Sequence, residues 1–403
     1  MVVHNGFLFW RTYIVTDNPV SFDFCGPDRI LFGTGSLSQL PELIRPWGRR
    51  GLVVVGRSLQ RSEPCLSHLS RIGMEITRLQ IAGEPTVEQV RQGAELARQI
   101  GAEWVIGIGG GSVIDSGKAI SALAPNPGDP VDHLEVIGNA APLKEDPLPF
   151  AAVPTTAGTG SEATRNAVLS SPQHRVKVSL RSPRMWPRLA VIDPALALGL
   201  PPHLTASTGL DALTQLLEAF VSVRSNAMTD ILCRHSLPRV ASALPRAFED
   251  GDCLAARSDL ALGALHSGLA LANAGLGAVH GLAGPLGGQC GAPHGALCAA
   301  LLAPVTEANI AALRQRSPGS PALGRYDEAS RWLGSLDGKG PEILAHRLET
   351  LACRLRVPRL SDWGITQAEL PEVVRKAQES SSMKGNPIAL SDSELHGILT
   401  RAL

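Results

Sequence analysis

Two histidines fourteen positions apart, His280 and His294, bracket a segment with five glycines and two prolines. About seventy residues upstream, Asp211 and Gln215 stand four apart in a helical pattern. That spacing puts both on one helix face. Imidazole and carboxylate donors gathered from two separate segments can make a metal cage. Each residue also has an ordinary role: a lone helical Asp commonly caps or faces solvent, and a lone His commonly satisfies a core hydrogen bond. Joint placement favours the cage. Asp211 follows a Thr/Ser-rich helix start, His280 follows Gly275-Leu-Gly277, and His294 follows Pro293.

Three loops could hold a nucleotide. Gly107-Ile-Gly109-Gly110-Gly111-Ser112 lies between a strand pattern and a helix pattern. Bare glycines there let backbone N–H groups approach a phosphate, and the helix N-terminus adds favourable partial charge. A tight strand-to-helix turn is the plain alternative, but three consecutive glycines are costly for a turn alone. The run lacks the well-placed acid of the dinucleotide fingerprint and the spacing of a Walker A loop. Pro154-Thr155-Thr156-Ala-Gly-Thr159-Gly-Ser161 offers four hydroxyls and two glycines in eight residues after another strand. Ligands of open α/β sheets bind at such carboxyl ends of strands. Gly56-Arg57-Ser58 closes a third strand where an acid would hold a ribose hydroxyl. A small residue beside a cation and a hydroxyl suits a 2′-phosphate instead, which tilts the reading toward NADP(H); a solvated loop arginine is the alternative.

These residues need a scaffold that alternates strands and helices. From Asp23 the chain reads as short strand, Gly33-Thr-Gly35 turn and helix near 37–45, then strands at Leu52–Val55, near 75–80, at Trp104–Ile108, Phe150–Val153 and Leu189–Ile192. Thr86–Ile100 is an amphipathic helix with Thr86 as its cap. Alternation of this kind implies a parallel, doubly wound sheet. After Pro201-Pro202 strand signals vanish. Helical patterns cover roughly 205–223, 226–248, 254–275, 280–288, 294–303, 326–334, 341–355 and 390–402. The expected division is an extension over 1–21, an α/β nucleotide-binding domain over 22–199 and an all-helical metal- and substrate-binding domain over 200–403. Ser317-Pro-Gly-Ser-Pro321 is the expected exposed loop.

Composition narrows the class. With 403 residues, 37 basic against 37 acidic side chains and 44% hydrophobic content, the chain gives no electrostatic support for a nucleic-acid or membrane partner. Its longest apolar run, the ten residues Ala296–Val305, is short of the ~18 that span a bilayer. The apolar start carries Arg11 and Thr12 and no small-residue cleavage site, so it does not read as a signal peptide. Seven cysteines (Cys25, Cys65, Cys233, Cys253, Cys290, Cys298 and Cys353) form no Cys-x-x-Cys pair. Reduced thiols in a cytoplasmic protein are expected.

Four motifs carry a resemblance. Gly-Gly-Gly-Ser-x-x-Asp-x-x-Lys (109–118), Pro-Thr-Thr-Ala-Gly-Thr-Gly-Ser-Glu (154–162), Gly-Leu-Asp-Ala-Leu-Thr-Gln-x-x-Glu-Ala (209–219) and His-Gly-Leu-Ala-x-Pro-Leu-Gly…Pro-His-Gly (280–295) resemble those of the iron-containing, group III alcohol dehydrogenases. Lys384-Gly-Asn-Pro387 is similar to that family's tail. The resemblance implies a Rossmann-like α/β domain with a parallel sheet and an all-α C-terminal domain, the architecture shared with dehydroquinate synthases. It implies NAD(P)(H) in the cleft, a divalent metal (Fe2+ or Zn2+), a small alcohol or aldehyde substrate and a homodimer. Asp211, His280 and His294 match the metal ligands. Gly109–Ser112, Thr155 and Thr156 match cofactor-contacting elements, and Asp115 and Lys177 match positions near the bound cofactor.

Two positions depart from the family pattern. Gln215 stands where a histidine ligand is usual, and Gly284 stands where a second histidine flanks the substrate. A Gln amide oxygen is a neutral, weaker donor, so Asp211, His280 and His294 form the expected minimum set, with Gln215 an optional fourth; zinc works with three protein ligands. The expected chemistry is hydride transfer between nicotinamide and a carbonyl polarised by the metal. With glycine at 284, the proton comes from water or a ribose hydroxyl. Three other readings share parts of the pattern: a metal-independent reductase of the maleylacetate type, a dehydroquinate-synthase-like lyase or cyclase, and a non-catalytic nucleotide-binding paralogue.

Overall fold

The computed structural model describes residues 21–174, 176–333 and 340–403. The extension expected over 1–21 therefore lies, Ser21 apart, outside the described residues. The first half runs β1 (Arg29–Phe32), α1 (Leu40–Ile44), β2 (Arg50–Val55), α2 (Glu63–Arg71), β3 (Glu75–Gln80), α3 (Val87–Gln99), β4 (Trp104–Gly109), α4 (Gly111–Leu123), β5 (Phe150–Pro154), β6 (Asn166–Ser171), β7 (Val176–Arg181) and β8 (Leu189–Ile192). Six strands form a sheet ordered β1-β8-β5-β4-β2-β3, parallel at every junction, while β6 and β7 pair as a separate antiparallel hairpin.

Alternating side chains explain why the sheet is covered on both faces. Leu52, Val54 and Val105 pack with Val90, Ala94 and Ile120 from α3 and α4 on one side. Val53, Val55, Trp104 and Ile106 pack with Ile44, Leu66 and Leu69 from α1 and α2 on the other. Thr86 caps α3 as expected, and Gln89 completes a reciprocal capping box. The chain reverses direction across the sheet between β2 and β4, the topological switch point where ligands of such sheets bind.

Nine helices follow among the described residues: α5 (Pro202–Val221), α6 (Ala227–Glu249), α7 (Leu254–Ala274), α8 (Ala278–Cys290), α9 (His294–Arg316), α10 (Pro321–Trp332), α11 (Glu342–Arg354), α12 (Leu370–Gln378) and α13 (Asp392–Ala402). The centre of this half is α5, buried at every position from Gly209 to Val221. Helices α7 and α8 meet at 101°. The 317–321 connection is exposed except at Ser320, whose side chain caps α10. By length and composition α9 could cross a membrane, but 72% of its most apolar window is buried inside the fold.

The structure extends the sequence reading in three places. The hairpin β6–β7 and helix α12 were not anticipated, and α9 continues past Pro304 to Arg316 instead of ending at 303.

Candidate metal centre and nucleotide loops

Four ligand-capable side chains converge between α5, α8 and α9. One donor atom each from Asp211, His280, His294 and Cys298 lies within 4.8 Å of the others. His280 Nε2 is 3.4 Å from Asp211 Oδ1, and His294 Nε2 is 4.0 Å from the same oxygen. Cys298 Sγ lies 3.6 Å from His294 Nε2. Asp211 Oδ1 and His280 Nε2 are buried and have no hydrogen-bond partner. Buried polar atoms are normally satisfied; two orphans facing one another beside an imidazole and a thiol fit a divalent cation.

Local structure fixes each candidate ligand. Asp211 sits on the central helix with its side chain only 2% exposed. One turn before it, Ser207 meets the start of α9: a Cβ at Gly295 would fall 2.4 Å from the Ser207 carbonyl. Only glycine allows that approach, which carries His294 to Asp211. His280 is the third residue of α8, and the start of that helix is held by two side chains. Asn386 Oδ1 accepts from Ala278 N at 3.1 Å, and Glu218 Oε1 accepts from Val279 N at 2.7 Å. Asn386 comes from the Lys384–Pro387 tail, which thus serves as a clamp on α8. The second oxygen of Glu218 takes His280 Nδ1 at 2.5 Å. A proton held on Nδ1 leaves the Nε2 lone pair facing Asp211, the arrangement by which a carboxylate orients a metal-binding histidine.

Charge coupling dominates the centre. Burial pushes the His280 imidazole down, but Cys298, Glu218 and Asp211 outweigh it and hold it well above its ordinary value. His294 is raised chiefly by the Cys298 sulfur. Burial alone would raise Asp211 and Cys298, yet the two imidazoles keep both below their usual ranges. The set therefore pairs two groups that favour their anionic form with two imidazoles that favour their charged form, holding protons that a divalent ion would displace. His294 keeps 37% of its side chain exposed, so the centre opens on that side. At Gly284 a Cβ would meet nothing within 4 Å; the position left without a histidine is open space.

The expected fourth donor behaves otherwise. Gln215 is buried on α5, and its Oε1 accepts from Ser267 Oγ at 2.7 Å. Ser267 Oγ is also 3.5 Å from the Gly158 carbonyl, so Gln215 ties α5 to α7 beside the Thr-rich loop.

All three predicted nucleotide loops lie side by side at the carboxyl ends of β2, β4 and β5. Val55 pairs with Ile108, and Gly109 pairs with Pro154. Gly56 lies beside Val113 of α4, with Arg57 and Ser58 exposed beyond the strand end. Gly109, Gly110, Gly111 and Ser112 form the entry to α4, whose cap Gly110 supplies no side-chain bond. Its first N–H groups are thus left for an anion. Thr156 packs on Gly110, and a Cβ at Gly111 would strike Thr159 at 2.7 Å; packing between the two loops accounts for part of the glycine run. Thr155 N donates to the Gly109 carbonyl at 2.9 Å.

Asp115 braces the end of the Thr-rich loop, and Lys177 lies apart from all three loops. Asp115 Oδ2 accepts from Val168 N at 2.9 Å, and its other oxygen bonds Ser161 Oγ. Lys118 is buried beneath, donating to the Ser161 carbonyl, Thr164 Oγ1 and the Asn166 carbonyl at 2.7–2.9 Å. Burial pulls its ammonium down to about 8, against Asp115 and Glu162. Lys177 pairs with Glu84 at 2.9 Å and reaches α8, where a Cβ at Gly287 would lie 3.1 Å from its Nζ. Cys298 and Glu218 were the site residues that motif reading passed over.

A parallel sheet with phosphate-ready loops, joined to a helical metal centre, defines a class of two-domain nucleotide-dependent metalloenzyme. The sequence pattern of the iron-containing alcohol dehydrogenases matches residues 27–194, and that of the C-terminal part of the Fe-containing alcohol dehydrogenase family matches residues 205–403. The chain belongs to this family. It is 32% identical to 1,3-propanediol dehydrogenase of Citrobacter freundii over 94% of this chain and 98% of that one. It is 33% identical to alcohol dehydrogenase 4 of Schizosaccharomyces pombe, covering 96% and 90%. Among solved structures, a 1,3-propanediol oxidoreductase superposes with a TM-score of 0.87 at 29% identity, covering 95% of this chain and all of the other. A sulfoacetaldehyde reductase from Bifidobacterium kashiwanohense in complex with NAD+ gives 0.83 at 26% identity, covering 95% and 99%.

Proposed function

We propose that the protein is a metal-dependent oxidoreductase that transfers hydride between NAD(P)(H) and a small alcohol, aldehyde or ketone. The observation that carries this is the pair of buried, unpartnered atoms Asp211 Oδ1 and His280 Nε2 facing one another beside His294. Asp211, His280 and His294 hold the divalent ion. When bound, the ion supplies Lewis acidity and the nicotinamide accepts or delivers the hydride. Glu218 keeps the His280 Nε2 lone pair directed inward. Gly109–Ser112 and the first turn of α4 bind the diphosphate, with Thr155, Thr156 and Thr159 donating hydroxyls, and Gly56, Arg57 and Ser58 flanking the adenosine ribose. Asp115 and Lys177 line the cleft near the nicotinamide, Asp115 by bracing the Ser161 loop. With no side chain at 284, no protein group at that position would take the alcohol proton, and water or a ribose hydroxyl would have to.

The division between the halves falls at about residue 200, supported by the gap between the two family matches. The unpaired cysteines support a cytoplasmic location. A homodimer is supported by β1, an edge strand that leaves Ile30 and Phe32 exposed.

The deciding experiment combines elemental analysis with an aldehyde, ketone and alcohol panel run with both cofactors. One divalent metal per chain and net NAD(P)H turnover are expected. His280→Ala should fold, lose the metal and lower kcat/KM at least about 100-fold, the equivalent of about 3 kcal/mol of transition-state stabilisation. Full turnover after exhaustive chelation would replace this function with the metal-independent one.

A further inference from the structure

We propose that the fourth protein donor to the metal is the Cys298 thiolate, not Gln215, and that the resulting Asp/His/His/Cys set favours zinc over iron. The proposal rests on the metal-dependent function above. Cys298 is one helical turn beyond His294 on α9, so both side chains leave the same helix face. It is fully buried, and its sulfur shares one space with Asp211 Oδ1, His280 Nε2 and His294 Nε2.

Donor spacing supports coordination. Around a tetrahedral ion with bonds of about 2.0–2.3 Å, neighbouring donors lie roughly 3.3–3.7 Å apart. All six donor pairs lie within 4.8 Å; His280–Asp211 at 3.4 Å and Cys298–His294 at 3.6 Å fall in this range, and His294–Asp211 at 4.0 Å lies just beyond it. A helical cysteine with nothing else to bind commonly turns to the carbonyl four residues back. Cys290 does so, donating to Leu286 O at 3.2 Å, whereas the Cys298 contact is His294 Nε2. Gln215 meanwhile has its amide oxygen on Ser267.

Charge does not decide between the two donors, because the Glu218 carboxylate on His280 already stands beside Asp211; donor type does. A thiolate is a softer donor than a glutamine oxygen, and thiolates are common zinc ligands.

Cobalt substitution of the full-length protein tests the assignment without reference to turnover. Co2+ bound at one per chain should give an intense thiolate-to-cobalt charge-transfer band in the near ultraviolet. Cys298→Ser and Cys298→Asp should abolish the band, and Gln215→Ala should retain it. On the zinc-loaded protein, X-ray absorption should show one sulfur neighbour at about 2.3 Å, and Cys298→Ser should bind Zn2+ about 100-fold more weakly. Wild-type protein that binds one Co2+ without the band overturns the Cys298 assignment and leaves the metalloenzyme intact, whatever the variants do. A band that survives in Cys298→Asp overturns it likewise. Failure of the wild-type protein to bind Co2+, Zn2+ or Fe2+ removes the underlying function as well.

Discussion

At the scale of single residues, Glu218 organises the candidate metal centre from behind His280. Its two oxygens take the Val279 amide and His280 Nδ1, so one carboxylate sets both the start of α8 and the histidine tautomer. Glu218→Gln keeps the shape but replaces one acceptor by a donor. Its single acceptor oxygen must then meet either the His280 Nδ1 proton, leaving its NH2 against the Val279 N–H, or the Val279 N–H, leaving its NH2 against His280 Nδ1. In the second case the His280 proton is free to move to Nε2, the atom that must bind metal. Metal affinity should fall about 10- to 100-fold with the fold retained; equilibrium dialysis against Zn2+ measures it, and unchanged affinity would refute the orienting role. The convergence of Asp211, His280 and His294 was legible from residue type and spacing, because candidate ligands must share a face or a turn. Glu218 lies seven residues after Asp211 and Cys298 four after His294, so both sat on faces already marked. They escaped notice because a carboxylate that binds a histidine obeys no fixed spacing, and a lone buried cysteine is ordinarily inert packing.

At the scale of elements, helix pairing decides what sequence patterns leave open. The helical pattern of α9 stops at Pro304, since proline removes a helical hydrogen bond. The helix nevertheless continues to Arg316, because Val305, Thr306, Ile310 and Leu313 are all buried in the helical core. Packing there outweighs a local propensity. The β6–β7 hairpin was hidden for the opposite reason: its period-two alternation is short and lies between stronger strands. The pairing of α6 with α7 encloses a second imidazole, His266, against Ser236 Oγ at 2.7 Å with the His235 ring 5.6 Å away. Burial, then the nearby His235, lower His266 to about 4. The folded state thus refuses a proton that the unfolded chain accepts near its ordinary value of about 6.5. Stability from this group is complete above that value and is lost as pH falls toward 4. Near pH 5 the loss should reach at most about 2 kcal/mol, since His266 retains some solvent contact. Urea unfolding of His266→Leu should lack this share of the acid loss, whereas an identical pH slope in both proteins would contradict it.

At the scale of the whole molecule, the nucleotide loops and the metal centre must hold hydride donor and acceptor in register across a seam between two domains. At the Thr-rich loop that seam is nearly bare backbone, beside an apolar cluster in which Leu265 and Leu269 of α7 pack with Ala190 and Ile192. Gly160 of the Thr-rich loop adopts φ 61° and lies directly on Gly268 of α7; a Cβ at Gly268 would fall 2.2 Å from the Gly160 carbonyl. Beside it, Gly158 packs on Thr208 of α5, one turn before Asp211. Gly268→Ala must therefore push the loop away from the helices that carry the ligands, without touching a ligand. A misplacement of about 1 Å between reacting groups can lower the rate about 100-fold. The variant should keep one metal per chain, bind NAD(P)H more weakly and lose about that factor in kcat. Gly263→Ala separates displacement from simple loss of stability. It overpacks the same helix on the face turned to α6, where a Cβ would lie 2.1 Å from Val240 Cγ2. If the seam sets the register, Gly263→Ala lowers stability while the folded enzyme turns over at the wild-type rate. Equal kcat losses in the two variants would mean that α7 contributes only stability, and that the register of the two domains is held elsewhere.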